Sequence, residues 1–114
     1  MSEISRMDLF NEVEITGQVG RDPEIGAFQD GRRYAEFTVI IRFSYYNDKD
    51  ELVEQQLRQH VVFWQKKLVG VIERRVSKGM AISISGRLSP RSFLDAAGEK
   101  QFRTMIVGKR LKIL

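Results

Sequence analysis

Aromatic side chains stand close to lysine or arginine in three short stretches of the chain. They are centred on Tyr45 and Tyr46 in SYYNDKD, on Trp64 in RQHVVFWQKK, and on Phe93 in SPRSFLDAAG. A flat ring can stack on a nucleobase, and a neighbouring cation can attract a phosphate. This combination of residue types is typical of sites that hold a single nucleic-acid strand without reading its sequence.

The only tryptophan, Trp64, lies in a stretch with strand periodicity whose orientation the period leaves open. One face would carry Gln59, Val61 and Phe63, and the other Arg58, His60, Val62 and Trp64. A half-buried strand normally has one apolar and one wet face, and here both faces are mixed. The period alone therefore makes Trp64 either a core residue or an exposed one.

The other candidates also have purely structural interpretations. Tyr45 and Tyr46 point to opposite faces if the backbone is extended, so one of them can simply close the end of the core. Phe93 is harder to bury, because polar and turn-forming residues surround it. Cations such as Lys66, Lys78 and Arg87 can be ordinary solubilising surface.

The charges of the chain are distributed unevenly along its 114 residues. Residues 1 to 57 contain 6 Lys and Arg against 12 Asp and Glu, whereas residues 58 to 114 contain 13 against 3. Such asymmetry indicates a polyanion-binding surface built mainly from the second half. A solvated basic surface is the simpler interpretation of the same numbers.

Several classes of protein are disfavoured by what the sequence lacks. The chain has no cysteine and one histidine, so neither a disulfide framework nor a thiolate zinc site can form. It has no phosphate-binding Gly-rich loop and no HExxH motif, and the acidic residues near position 50 lack calcium-loop spacing. It also has no membrane-spanning apolar run and no secretory signal. We therefore expect a non-enzymatic protein with no cofactor, no metal and no membrane association.

Strand and helix periods alternate in an order that predicts the fold. Three strand-like segments lie around residues 12 to 19, 35 to 43 and 58 to 64, a short helix follows at 65 to 79, and two more strands complete the chain. This order predicts an all-β fold, an OB-fold five-stranded Greek-key barrel with one short helix between strands 3 and 4. Another small barrel, or an open sheet with a helix laid across one end, is the alternative.

Other features complete the expected architecture. Residues 11–114 form the domain, and residues 1–10 are an N-terminal segment that is expected to be disordered. Residues 21 to 28 are expected to be a loop, Gly17 a bend or a bulge, and Leu88 an inward-facing strand residue. Residues 44–57 and 89–101 are expected to be two protruding arms.

Four sequence segments together resemble the bacterial single-stranded DNA-binding protein (SSB) family. They are NEVEITGQVGRDPEI, HVVFWQKKLV, SKGMAISISGRL and RSFLDAAGEKQFRT, and they follow one another in the family's order. The resemblance implies an OB-fold, a homotetramer built as a dimer of dimers, and binding of single-stranded DNA without catalysis. It places Val61 and Phe63 inside the barrel and Trp64 on the DNA side, with Arg58 and Lys66 as its neighbours.

The resemblance also implies roles for individual residues. Trp64 and Phe93 stand where the family has stacking aromatics, Tyr45 or Tyr46 stands near another, and Arg58 replaces a common tryptophan. The predicted DNA-binding set is Tyr45, Tyr46, Lys49, Arg58, His60, Trp64, Lys66, Lys78, Arg87, Arg91 and Phe93.

The expected function is binding and protection of single-stranded DNA in replication, recombination or repair, in the nucleoid of a bacterial cytoplasm. Replication or repair proteins are candidate partners. The family usually continues into a flexible linker with an acidic tip, whereas this chain ends in KRLKIL, so either the chain is cut or it is a tail-less relative. The alternative function is a primosome- or recombination-accessory OB-fold protein that acts mainly through protein partners.

Overall fold

Alternating apolar residues build most of the chain into strands, and one 3.6-residue stripe builds its helix. The computed structural model describes residues 10–114, so the N-terminal segment proposed for residues 1–10 lies outside it except for Phe10. The elements are β1 (Val13–Val19), β2 (Glu24–Ala27), β3 (Arg33–Tyr46), β4 (Leu52–Phe63), α1 (Lys66–Arg75), β5 (Ala81–Leu94) and β6 (Lys100–Ile113).

The strands form one sheet that closes into a barrel. Their order is β1-β5-β6-β4-β3-β2, and a further pairing of β1 with β3 closes the circle. Every pairing is antiparallel except that of β4 with β6, where Val61 lies beside Ile106 and Val62 beside Val107. Five long strands thus make the barrel, and α1 lies between the third and fourth of them. This confirms the predicted OB-fold.

The short strand β2 corrects the expectation of a loop over residues 21 to 28. It pairs with the start of β3, and Ile25 packs against the core. Gly26 leaves room for the ring of Tyr34, which lies against its backbone. With so few residues and one large apolar side chain, β2 has too little alternation for its sequence to reveal it.

The core fills the barrel and extends under the helix. It contains Val19, Ala35, Phe37, Val39, Val61, Phe63, Val69, Ile72, Val76, Ile82, Ile84 and Ile106. The rings of Phe37 and Phe63 stack with centroids 6.1 Å apart. The apolar stripe predicted for the helix is confirmed, because Val69, Ile72 and Val76 are all buried.

Gly17 allows β1 to approach β3 closely enough to close the barrel. β1 pairs with β5 up to Gln18 and with β3 at Gln18 and Val19, and a side chain at Gly17 would strike the backbone carbonyl of Ile40. Gly17 therefore permits a close crossing, without a register shift in the β1–β5 pairing. The register shift lies instead between Ser85 and Gly86, opposite β6.

Both predicted arms are extended two-stranded hairpins that project beyond the barrel. The first arm is the outer half of β3 and β4, and its turn is held by Asn47, whose Oδ1 accepts hydrogen bonds from the backbone N–H groups of Lys49 and Glu51. The second arm is the outer half of β5 and β6. In its turn the backbone N–H groups of Glu99 and Ala97 donate to Asp95, and these bonds hold the pKa of Asp95 below its usual value.

Leu88, expected inside the barrel, is 46% exposed. The second arm begins at this residue, and the pairing of β4 with β6 ends at Val61 and Ile106. Within the described part of the chain, residues 10–114, no third strand therefore covers the inner face of the arm. The alternation predicted for β5 is correct, but its apolar face continues beyond the point where the core ends.

We predict that Gly108→Ala destabilises the fold, because the new Cβ would collide with the Phe63 ring and lie 2.7 Å from its Cδ2. The expected cost is about 1–3 kcal/mol, as for other overpacked cores, and urea denaturation measures it. Gly70→Ala is the control. Its nearest new neighbour is the flexible end of Arg74, 3.1 Å away, and a helical alanine should add about 0.5–1 kcal/mol. Equal stability of the two variants would contradict the packing described for Phe63.

Candidate nucleic-acid interface

The side chains that point away from the core form one continuous outer face across β3, β4, β6 and β5. The register places Glu36 opposite Val62, Val62 beside Val107, and Val107 opposite Arg87. We call this surface the outer face. Directly paired residues point to the same side of a sheet, so every second residue along these strands contributes to it.

The middle of the outer face has an apolar floor. Val62, Met105 and Val107 are buried there in a cluster separate from the barrel core, and Tyr34 packs against them. Val62 thus lies on the predicted side of β4, but beneath its neighbours. Polar and aromatic side chains surround this floor.

Trp64 is exposed, as predicted, because it directly follows the fully buried Phe63 at the end of β4. Its indole is 47% exposed. The cation beside it is Arg87, whose guanidinium carbon lies 5.8 Å from the ring centroid. Gln65 fixes the backbone beyond it by donating a hydrogen bond of 3.1 Å to the carbonyl of Gly108.

The expected neighbours of Trp64 were Arg58 and Lys66, and that expectation was wrong for Arg58. Arg58 lies six residues back along the extended backbone, which corresponds to about 20 Å. Lys66 starts α1. Arg87 takes the position because β5 reaches Trp64 across β6, a proximity that the order of residues does not show.

Phe93 lies on the outer face of the second arm, 40% exposed. The guanidinium carbon of Arg103 lies 5.0 Å from its ring centroid. Arg91, the cation expected beside it, instead forms an ion pair with Glu36 and contacts the Met105 sulfur at 3.5 Å. Arg103 is not in the predicted set, although the hairpin register, counted outward from the turn at Ala97-Gly98, places it opposite Arg91.

His60 lies half-buried on the outer face, opposite Thr38. Burial lowers its pKa below the ordinary value of 6.5, and the nearby charge of Arg103 lowers it further. Arg21 and Arg91 act in the same direction, while Glu36 opposes them. His60 is therefore neutral at pH 7, and the cations near it are these three arginines.

The two tyrosines of the first arm point to opposite faces. Tyr46 is 71% exposed and pairs with Leu52 on the side of the outer face. Tyr45 lies on the inner side, where its ring stacks against Phe43 at 6.4 Å and Gln55 donates a hydrogen bond to its hydroxyl at 3.4 Å.

The predicted set is therefore only partly brought together. The outer face carries Tyr46, Arg58, His60, Trp64, Arg87, Arg91 and Phe93. Tyr45 lies on the reverse side of the first arm, Lys49 in its turn, and Lys66 at the start of α1. Lys78 lies in the turn after α1, where its backbone N–H donates to Asp22 at 2.8 Å.

A groove of about 1320 Å³ extends the outer face beyond Trp64. Trp64 and Arg87 line one part of it, and the basic residues Lys109, Arg110 and Lys112 of β6 line another. Glu12, which precedes β1, and Glu14 of β1 lie among its lining residues. The groove joins the tryptophan to a second group of cations that the predicted set did not include.

Residues 10–114 contain no group of three or more acidic or histidine side chains arranged to hold a metal ion. Across the same residues, no helix is long and apolar enough to cross a membrane. The geometry supports contact with an extended anionic ligand that has flat groups, through rings that are each paired with a cation.

Residues 10–114 match the Single-strand binding protein family. The chain belongs to this family. The description of the family is one of binding, in agreement with the expectation that the chain is not an enzyme.

Individual relatives carry the same description. The single-stranded DNA-binding protein of Rickettsia felis is 31% identical over 85% of this chain and 64% of its own length. That of Rhizobium meliloti is 32% identical over 85% and 56%, and single-stranded DNA-binding protein 1 of Xylella fastidiosa is 26% identical over 95% and 79%. The chain thus spans less than two thirds of the Rickettsia and Rhizobium proteins.

A solved structure supports the fold independently. The chain superposes on Plasmodium falciparum SSB, solved in complex with ssDNA, with a TM-score of 0.86 and 22% identity. The match covers 100% of this chain and 99% of that one. At this identity the likeness shows the fold.

We predict that His60 makes the fold less stable as the pH falls. Because its folded-state pKa is lowered, the unfolded chain binds more protons than the folded chain once the pH drops below 6.5, so protons favour unfolding there. The wild type should lose more stability between pH 7.5 and pH 5.5 than His60→Gln, as measured by urea denaturation. Equal losses in the two proteins would show that His60 titrates normally.

Proposed function

We propose that the chain binds single-stranded DNA on the outer face, with bases stacked on Trp64 and Phe93 and phosphates held by the neighbouring arginines. The observation that carries the proposal is that Trp64 and Phe93 each have a guanidinium over the ring, that of Arg87 at 5.8 Å and that of Arg103 at 5.0 Å. Relatives that bear the name of single-stranded DNA-binding proteins support the choice of ligand.

The free energies of the two kinds of contact indicate how an aromatic ring with an arginine over it would bind a base. An exposed cation–π contact is worth roughly 0.5–1 kcal/mol, whereas a stacked base is worth roughly 1–3 kcal/mol. A base can therefore replace the guanidinium over the ring. The displaced arginine stays beside the ring, where the phosphate of the same nucleotide needs a positive charge.

The remaining predicted residues would act as outlying contacts. Tyr46 and Arg58 extend the outer face along the first arm, with Lys49 at its tip and Tyr45 on its reverse side. Lys66 is the first residue of α1, and Lys78 lies in the turn after that helix. A strand that wraps the barrel would pass them in turn, and each would add a modest, salt-sensitive attraction.

The proposed assembly is a homotetramer, a dimer of dimers, as the family resemblance implies. Exposed apolar side chains on the inner side of the first arm, Phe43 at 45% and Leu57 at 49%, support association, because contiguous apolar patches commonly mark interfaces. The proposed setting is replication, recombination or repair in the bacterial nucleoid, with replication or repair proteins as further partners. The native mass with and without oligo-dT tests the assembly.

Saturating oligo-dT should quench the emission of Trp64, because stacking brings a base against the indole. Trp64→Ala should weaken binding about 5- to 150-fold, the equivalent of one stacked base, while Trp64→Phe, which keeps a ring, should lose much less. Affinity should also fall as salt rises, because binding releases counterions. Unchanged emission at saturating DNA, with Trp64→Ala binding normally, would remove Trp64 from the interface.

Glu36→Gln should strengthen DNA binding, because the carboxylate now holds Arg91 and places a negative charge on the outer face. Glu73→Gln is the matched control. This substitution also removes a carboxylate that forms an ion pair, here with Arg33 at 2.9 Å, but the carboxylate lies on helix α1. Titration of both variants with labelled oligo-dT should show a gain in affinity for Glu36→Gln alone. Equal effects would mean that only net charge counts, and that Arg91 has no local role.

A further inference from the structure

The second arm carries an aromatic–cation pair on its reverse side as well. Phe102 is 69% exposed, and the Lys100 Nζ lies 5.5 Å from its ring centroid. In the ladder of the arm, Phe93 is paired with Gln101 and Phe102 with Ser92. Because adjacent pairs point to opposite sides of a two-stranded ribbon, the two rings lie back to back, one step apart.

Packing within the described residues does not account for Phe102. It is absent from both buried clusters and from the residues packed against them. The pairing of β4 with β6 ends before the arm begins, so within residues 10–114 no third strand pairs with the arm at Phe102. A single exposed ring is common on protein surfaces, so the cation 5.5 Å from the Phe102 ring is what points to a ligand.

The charge of the arm favours an anionic ligand. Residues 88 to 104 contain three Lys and Arg against two Asp and Glu. Of those two acids, Asp95 is occupied by the backbone of its own turn and by the side chain of Gln101. Lys100 appears in no ion pair among residues 10–114, so its charge is available to a phosphate.

Two other surfaces show what distinguishes this pair. Phe28 also has a guanidinium over its ring, that of Arg32 at 5.3 Å, but Asp30 neutralises Arg32 at 2.7 Å. The rings of Phe43 and Tyr45, on the reverse side of the first arm, belong to an arm rich in Asp and Glu. Phe102 combines an open ring with an uncompensated cation.

We propose that Phe102 and Lys100 form a second base-stacking site, so that single-stranded DNA stacked on Phe93 continues over the edge of the arm. The ligand is a nucleobase with its phosphate. This inference rests on the proposed function, because the same strand must first occupy the outer face. The second arm would then lie between two bases, one stacked on Phe93 and the other on Phe102.

The single tryptophan of the chain allows a direct test. In the double variant Trp64→Phe/Phe102→Trp, the only indole reports on the proposed site. Saturating oligo-dT should quench its emission strongly. The control Trp64→Phe/Phe28→Trp places the indole at the neutralised pair, where emission should change little. Absence of quenching at position 102, or equal quenching at both positions, would overturn the proposal.

Affinity measurements separate a stacking ring from an apolar contact between subunits. Phe102→Leu keeps the apolar bulk but removes the ring, and it should weaken oligo-dT binding about fivefold or more. Phe102→Tyr should restore binding, and the native mass should stay the same in both variants. A changed native mass in Phe102→Leu would assign Phe102 to a subunit interface and overturn the proposal.

The outcomes also distinguish this inference from the function on which it rests. If oligo-dT quenches Trp64 in the wild type but does not quench the indole at position 102 in the double variant, the second site fails and the outer-face proposal stands. If neither indole responds, both proposals fail.

Discussion

The packing of the Phe63 ring on the backbone of Gly108 is the contact on which the rest of the structure depends. It joins β4 to β6 where these strands run parallel, and it directs Phe63 inward against Phe37. Alternation along the extended backbone then requires Trp64 to point outward. Gln65 hydrogen-bonds the carbonyl of the same Gly108, so the backbone on both sides of the tryptophan is held to one point of β6.

The two arms extend the sheet beyond this contact. Beyond the short β4–β6 pairing each hairpin continues as a free ribbon, so apolar and aromatic residues that would be core in a longer barrel become surface. The two ribbons differ in charge: residues 44 to 57 contain one lysine and four acids, whereas residues 88 to 104 are net basic. Exposed rings on the second arm are therefore matched with cations. Glu36 places an acid in the middle of the outer face, and its ion pair with Arg91 moderates the charge there.

Much of this could be predicted from the sequence, for reasons that particular residues show. The order of strand and helix periods predicts the barrel, and the family resemblance assigns Val61 and Phe63 to its interior. The partners of the rings could not be predicted in the same way. Arg87 reaches Trp64 only through two strand registers and a register shift near Gly86, which local patterns do not report. Arg103 is different, because one hairpin register suffices to place it.

Ultraviolet cross-linking of the protein to oligo-dT, followed by mapping of the modified peptides, would show directly whether DNA lies on the outer face, against rings paired with arginine. We expect cross-links in the peptides that contain Trp64 and Phe93, and their loss at high salt as the DNA dissociates. Cross-links confined to helix α1 or to the Phe28 turn, with none at Trp64 or Phe93, would contradict it.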